Sequence, residues 1–193
     1  MEPTAFSASP DRTWTLFLDR DGVINDEIVG SYVTDWSEFH FMNGALHAVS
    51  LLAGMFGRIV VVTNQRGVGR GIMSAEALRD ITTRMTEHIF SAGGRVDQVY
   101  ACTALTDDDR NRKPNTGMGM QAREDFPEIN FRRSVMVGNS ISDMEFGKRL
   151  GMNTVFLTTK HAPFSLPHDL IDEQYDSLRA FAESLKPAAL EAA

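Results

Sequence analysis

The chain has 193 residues, 42% hydrophobic and 23% charged, and its 19 Lys and Arg against 26 Asp and Glu give a formal charge of −7. That mixture excludes wholesale disorder, and the acidic balance argues against bulk attraction to nucleic acid while leaving room for a small anion in a local basic pocket. The single cysteine, Cys102, excludes an internal disulfide and a multi-cysteine zinc cage, and no apolar run reaches the roughly 20 residues of a membrane span.

In chain order, strands alternate with helices. Thr13 to Leu18 (TWTLFL) is a short β-prone run ending at Asp19. Asn43 to Phe56 is apolar at helical spacing, with Asn43 suited to an N-cap and Gly57 to a stop. Arg58 to Val62 (RIVVV) has no alternation and reads as a strand buried on both faces. A glycine-rich loop, TNQRGVGRGIM, follows, and Ser74 opens a helix to about Ser91 with Glu76 in its first turn. Val96 to Cys102 is a third strand, and residues 103–114 form a polar loop. Thr116 to Asp125 is a helix stopped near Pro127. Ser134 to Val137 is a fourth strand, Ile141 to Leu150 a helix closed by Gly151, and Asn153 to Leu157 a fifth strand. A final helix is expected over Tyr175 to Leu185. The expected architecture is α/β, one domain over 1–193 with a parallel sheet covered on both faces and loose ends at 1–12 and 187–193. The start of the chain lacks the basic and apolar stretches of a secretion signal, so a cytoplasmic protein is expected.

Ligands in such sheets bind beyond the carboxyl ends of the strands. Four loops arrive there. The first carries Asp19, Arg20, Asp21 and Gly22, the second Thr63, Asn64 and Gln65, the third Arg112 and Lys113, the fourth Gly138, Asn139, Ser140 and Asp143. Asp19 and Asp21 are two apart and share a face if the backbone stays extended. Two close carboxylates ionise together cheaply only around a cation, and an oxygen-rich set suits Mg²⁺; taken alone, DRDG reads equally well as a solvated turn. The glycines of TNQRGVGRG let backbone N–H groups approach an anion, against the alternative of a plain surface loop. Lys113 in RKPNTG is placed to neutralise a phosphate and a carboxylate together; alone, a solvated lysine is the simpler reading.

The segments FLDRDGVIN, TNQRGVGRG, RKPNTGM and MVGNSISDMEFG resemble, in order, the four motifs of the haloacid dehalogenase superfamily of phosphatases. The spelling is similar to the branch of heptose bisphosphate and histidinol-phosphate phosphatases, over about Leu16 to Leu157. The resemblance implies a three-layer, Rossmann-like fold with a minimal cap. It implies Asp19 as the nucleophile forming an aspartyl-phosphate, and Asp21 as general acid and then base, its carbonyl also a metal ligand. Thr63 would hold a phosphoryl oxygen and Lys113 would offset charge. Arg20, Gly22, Asn64, Gln65 and Arg112 would contact substrate or phosphate, and Asp19, Asp21, Asn139 and Asp143 would place Mg²⁺. Two departures stand out. Asn139 replaces the family's aspartate, which implies a higher Mg²⁺ requirement. The branch's zinc loop keeps only Cys102, with Ala104, Asp109 and Asn111 at the other ligand positions, so no structural zinc is expected.

The implied function is Mg²⁺-dependent hydrolysis of a small phosphomonoester, first D-glycero-D-manno-heptose 1,7-bisphosphate. The alternatives are histidinol phosphate or another small phosphate, or a phosphate-binding module of low activity. The expected partner is the substrate alone: a monomer without nucleic acid or membrane. His40, His47, His88, His161 and His168 lack paired metal spacing, and Cys102 reads as a small core residue. Asp107 to Asp109 read as a solvated loop or a second metal site. Tyr32, Trp36 and Phe39 either touch substrate or pack.

Overall fold

A computed structural model of the chain describes residues 10–185. At its centre runs β1 (Thr15–Leu18), buried along its whole length. Leu16 and Leu18 enter one hydrophobic cluster and Phe17 the other, as the two-residue repeat of a strand requires. β2 (Arg58–Asn64) divides the same way, Ile59 and Val61 against Val60 and Val62. This is why the run carries no polar alternation: both faces are covered. With β3 (Gln98–Cys102), β4 (Ser134–Gly138), β5 (Asn153–Leu157) and β6 (Glu173–Tyr175) these strands form a sheet of order β3-β2-β1-β4-β5-β6, parallel at every pairing.

The helices supply two outer layers. α1 (Ala45–Met55), α3 (Ala75–Ser91) and α6 (Leu178–Ser184) send Leu52, Ile81, Met85 and Phe181 into the cluster on one face. α4 (Gly117–Asp125) and α5 (Ile141–Leu150) send Met118, Ala122, Met144 and Phe146 into the cluster on the other. Among the described residues no helix is long and apolar enough to cross a membrane.

Several local expectations are corrected. α1 starts at Ala45 behind Gly44, whose φ is +77°, so Asn43 is not its cap. The glycine-rich segment is not an open anion cradle. β2 runs on to Asn64, and Arg66–Gly69 form a short helix, α2. The amides of Val68, Arg70, Gly71, Ile72 and Met73 all donate to carbonyls within the segment. Its glycines serve close packing instead: a Cβ on Gly67 would stand 2.9 Å from the Tyr32 ring, and one on Gly69 2.3 Å from the Thr103 carbonyl oxygen. The final helix is shorter than expected because Glu173–Tyr175 pair with β5 as an edge strand, and Ser177 caps α6. Of the expected loose ends, residues 1–9 and 186–193 lie outside the described residues. Arg12 is anchored, its guanidinium donating to the carbonyls of Ala53 and Phe56.

The chain moves outward from β1 to β2 and β3, then returns to place β4 on the other side of β1. The order reverses between β1 and β4, and the crevice of an open α/β sheet lies beyond the carboxyl ends at such a point.

Candidate active site

A cavity of about 200 Å³ occupies that crevice, with Asp19, Asp21, Thr63, Asn64, Lys113, Asn139 and Asp143 on its walls. Four loops distant in sequence therefore converge as expected. Asp19 leaves β1 with its amide donating to the Val137 carbonyl at 3.0 Å, which ties the first loop to β4. Lys113 Nζ lies 2.9 Å from Asp19 Oδ1 and 2.6 Å from Asp143 Oδ1, with its side chain 1% exposed. Burial works against its charge, but Asp143 and Asp19 outweigh burial and hold the ammonium charged. Its backbone is fixed too: Asn64 Oδ1 accepts from the Lys113 amide and Asn64 Nδ2 donates to the Lys113 carbonyl, both at 3.0 Å. Asn64 thus lines the cavity but spends its amide group on placing Lys113.

Asp143 is placed by helix chemistry. Ser140 caps α5, and its amide and hydroxyl donate to Asp143 Oδ2 at 3.0 and 2.7 Å, a capping box with aspartate as the third residue. Gly138 leaves room for this, since a Cβ there would stand 2.3 Å from that of Asp143.

Asp19 carries the opposite electrostatics. Burial first, then the negative charge of Asp143, push its carboxyl up to about 7, and Lys113 only partly opposes them. Two buried carboxylates sharing one ammonium leave an excess of negative charge, which suits a cation. Asn139 adds to the fit: its Nδ2 faces Glu27 Oε2 at 3.4 Å and Thr159 Oγ1 at 3.5 Å, leaving Oδ1 without a hydrogen bond among the described residues. Asp19, the Asn139 oxygen and Asp143 are hard oxygen donors, few enough to leave room for the waters that Mg²⁺ retains. No tighter cluster of three or more His, Cys, Asp or Glu side chains suited to a metal occurs among the described residues.

Asp21 sits in a different environment. Burial pushes its carboxyl up, but Arg20 outweighs it by charge and hydrogen bonding, with Asn25 and Gln65 adding bonds, and the group is held below the usual carboxylate range. Arg20 Nη2 reaches Oδ1 and Oδ2 at 2.8 and 3.0 Å, Asn25 Nδ2 reaches Oδ1 at 3.0 Å and Gln65 Nε2 reaches Oδ2 at 2.7 Å. Gln65 also donates to Thr63 Oγ1 at 2.9 Å, so the Thr63 hydroxyl keeps its own proton free for the cavity.

Three expected substrate contacts are therefore placed elsewhere. Arg20, 1% exposed, and Gln65, also 1% exposed, stand behind Asp21 and orient it. Gly22 contributes a turn at φ +77°, where a Cβ would fall 1.9 Å from Asn139 Nδ2. Arg112 does not line the cavity and pairs with Asp107 beside it. Asn25 and Glu27 carry no functional signal in the sequence, and Ser140 is placed there on the fourth loop without a role of its own. Asn25 and Ser140 lie inside quoted motifs, but a capping box or a carboxylate clamp is visible only once strand ends are placed. Tyr32 lines the cavity, whereas Trp36 stacks on Phe39 with centroids 4.9 Å apart and packs against the core. At the position of a zinc cage, Cys102 Sγ faces Asp109 Oδ1 at 3.6 Å, and burial pushes its thiol up.

Two predictions arise here. Gly22→Ala should destabilise the protein by about 2 kcal/mol or more, through the left-handed backbone and the displaced Asn139; calorimetric unfolding with unchanged stability would contradict the placement. Arg20→Gln should raise the pKa of Asp21, moving the pH profile of kcat/KM upward and lowering its maximum about tenfold or more. An unmoved profile would show that Arg20 does not set the protonation of Asp21.

The HAD-hydrolase-like family model matches residues 110–179. A D-glycero-alpha-D-manno-heptose-1,7-bisphosphate 7-phosphatase of Mycobacterium bovis is 34% identical over 170 residues, 88% of this chain and 90% of that protein. A D-glycero-beta-D-manno-heptose-1,7-bisphosphate 7-phosphatase of Vibrio cholerae is 35% identical, covering 78% of this chain and 83% of that one. The crystal structure of a D,D-heptose 1,7-bisphosphate phosphatase from B. bronchiseptica, complexed with magnesium and phosphate, superposes with a TM-score of 0.79 at 26% identity, covering 89% of this chain and 97% of that chain. On four loops meeting at one sheet edge and on relatives that match over most of its length, this chain belongs to the haloacid dehalogenase-like hydrolases and is one of their phosphatases.

Proposed function

We propose that the chain hydrolyses a phosphorylated sugar, D-glycero-D-manno-heptose 1,7-bisphosphate, through an aspartyl-phosphate on Asp19. The observation that carries this reading is the Asp19–Lys113–Asp143 cluster at the strand-order reversal, with Lys113 Nζ within 2.9 Å of both carboxylates. Phosphoryl transfer needs positioning and charge neutralisation above all. Asp19 attacks phosphorus while Thr63 donates its hydroxyl proton to a phosphoryl oxygen and Lys113 offsets the charge. The P–O bond to the sugar breaks, and Asp21 gives a proton to the leaving oxygen. Asp21 then takes a proton from water as that water attacks the phosphorus on Asp19, releasing phosphate and restoring the carboxylate. The resting Asp21 is ionised, so it takes up its proton when the negative phosphoryl group arrives beside it and disfavours a second charge.

Asp19, Asp21, Asn139 and Asp143 are the residues that would hold Mg²⁺. When bound, that ion supplies positive charge that keeps Asp19 ionised and neutralises the phosphoryl oxygens. Because Asn139 brings no charge, half-saturation by Mg²⁺ should fall well above the low micromolar range, and a titration saturating there would contradict this. The cavity is smaller than the roughly 300–1,000 Å³ of drug-sized pockets, which suits a phosphoryl group and the adjoining part of a sugar. The relatives include proteins named for both anomers. A kinetic screen of both heptose bisphosphate anomers, histidinol phosphate and other phosphorylated metabolites tests the substrate. Preference for a heptose bisphosphate, with release of the 7-phosphate, supports the reading; preference for any other ester overturns it.

A further inference from the structure

Just outside the cavity wall, two guanidinium groups converge on one carboxylate oxygen. Arg112, next to Lys113, donates from Nε to Asp107 Oδ1 at 2.8 Å, and Arg66 Nη2 pairs with the same oxygen. The arginine side chains are 19% and 15% exposed, that of Asp107 83%. The bases are largely buried beside the cavity, and the acid rides on the surface. The match is incomplete. Arg66 Nε and Arg112 Nη1 are buried without an acceptor, and among the described residues Asp107 Oδ2 accepts nothing. Two forks that together offer more donors than one carboxylate oxygen can meet are better served by a phosphoryl group, with three terminal oxygens.

The backbone around Asp107 does not depend on its carboxylate. Asn115 Nδ2 donates to the carbonyls of Asp107 and Asp109 at 3.1 and 2.9 Å, and the Arg112 amide donates to the Asp109 carbonyl at 3.0 Å. The Asp107 side chain can leave while the loop stays. The pair also adjoins the site: Arg112 precedes Lys113, and Gly67, the residue after Arg66, packs against Tyr32 of the cavity wall.

We propose that Asp107 is an internal competitor for a second phosphoryl group of the substrate, its carboxylate covering Arg66 and Arg112 until a bisphosphate displaces it. This rests on the reading of the chain as a sugar-phosphate phosphatase. A tethered carboxylate is present at high effective concentration, so it weakens apparent affinity for a bisphosphate and leaves a monophosphate unaffected.

The test uses the full chain with Mg²⁺ and p-nitrophenyl phosphate as reporter. Inhibition by D-fructose 1,6-bisphosphate is compared with inhibition by D-fructose 6-phosphate. Asp107→Ala should lower the inhibition constant of the bisphosphate about fivefold and move that of the monophosphate less than about twofold, while Arg66→Gln should raise the bisphosphate constant about fivefold. If Asp107 were only a clasp for the loop, both variants would weaken inhibition together. That outcome, parallel shifts for the two inhibitors, or no inhibition by the bisphosphate in parent and Asp107→Ala alike would overturn the proposal. The reporter is a generic ester, so failure of heptose turnover would refute the substrate reading and leave this readout intact.

Discussion

Asp19→Asn should abolish turnover, by at least about four orders of magnitude, and at the same time make the magnesium-free protein more stable. The amide cannot form the acyl-phosphate, but its oxygen can still accept from Lys113 at the position where Asp19 Oδ1 now lies, 2.9 Å away. What it removes is a buried negative charge facing Asp143. Burial and that charge push the Asp19 carboxyl from 3.8 up to about 7. Between those values the folded protein keeps a proton that the unfolded chain has released, so rising pH weakens the fold across that window. The variant should lose this slope and melt a few degrees higher than the parent near pH 8, without metal. Mg²⁺ should stabilise the parent more at pH 8 than at pH 5, where protons compete for Asp19. Scanning calorimetry at both pH values checks all three; a variant that melts lower would show that Asp19 is not under electrostatic strain.

Lys113→Met should produce the opposite stability change. Its ammonium is the shared partner of two buried carboxylates, at 2.9 and 2.6 Å. Removing one member of a buried ion cluster typically costs about 3–5 kcal/mol, because the charges left behind stay desolvated. Melting should fall by at least about 6 °C near pH 8 and recover in part as pH drops and Asp19 protonates. Turnover should fall about a thousandfold or more. Lys113→Arg should not restore it, since a planar fork does not fit a pocket in which the lysine side chain is 1% exposed. A change in melting under about 2 °C would contradict the placement of Lys113 between two charges.

The parts of this site legible in the sequence are those fixed by strand ends. Asp19, Thr63 and Asn139 each lie within one residue of the carboxyl end of a buried apolar run, and a parallel sheet carries such ends to one edge. Lys113 has no such signal in its polar loop; its place is implied by motif resemblance. The sequence did not reveal what stands behind the first layer. In sequence Arg20 reads as a substrate contact because charge next to such a motif is ambiguous, and only packing shows that it turns inward to clamp Asp21. In sequence the glycines at 67, 69 and 71 read as an anion nest, but the amides of Val68 and of residues 70–73 bond within the segment, and contact with Tyr32 and Thr103 requires the first two glycines. β6 has no signal in the sequence because EQY carries no apolar run, and an edge strand needs little burial.

The account stands on Asp19 as the atom that accepts the phosphoryl group. Rapid chemical quench of a single turnover with labelled substrate, followed by peptide mapping, tests it most directly. Label on the peptide containing Asp19, absent in Asp19→Asn and decaying at the rate of phosphate release, is the predicted result. Phosphate released with no labelled protein, or with label on another residue, would contradict it.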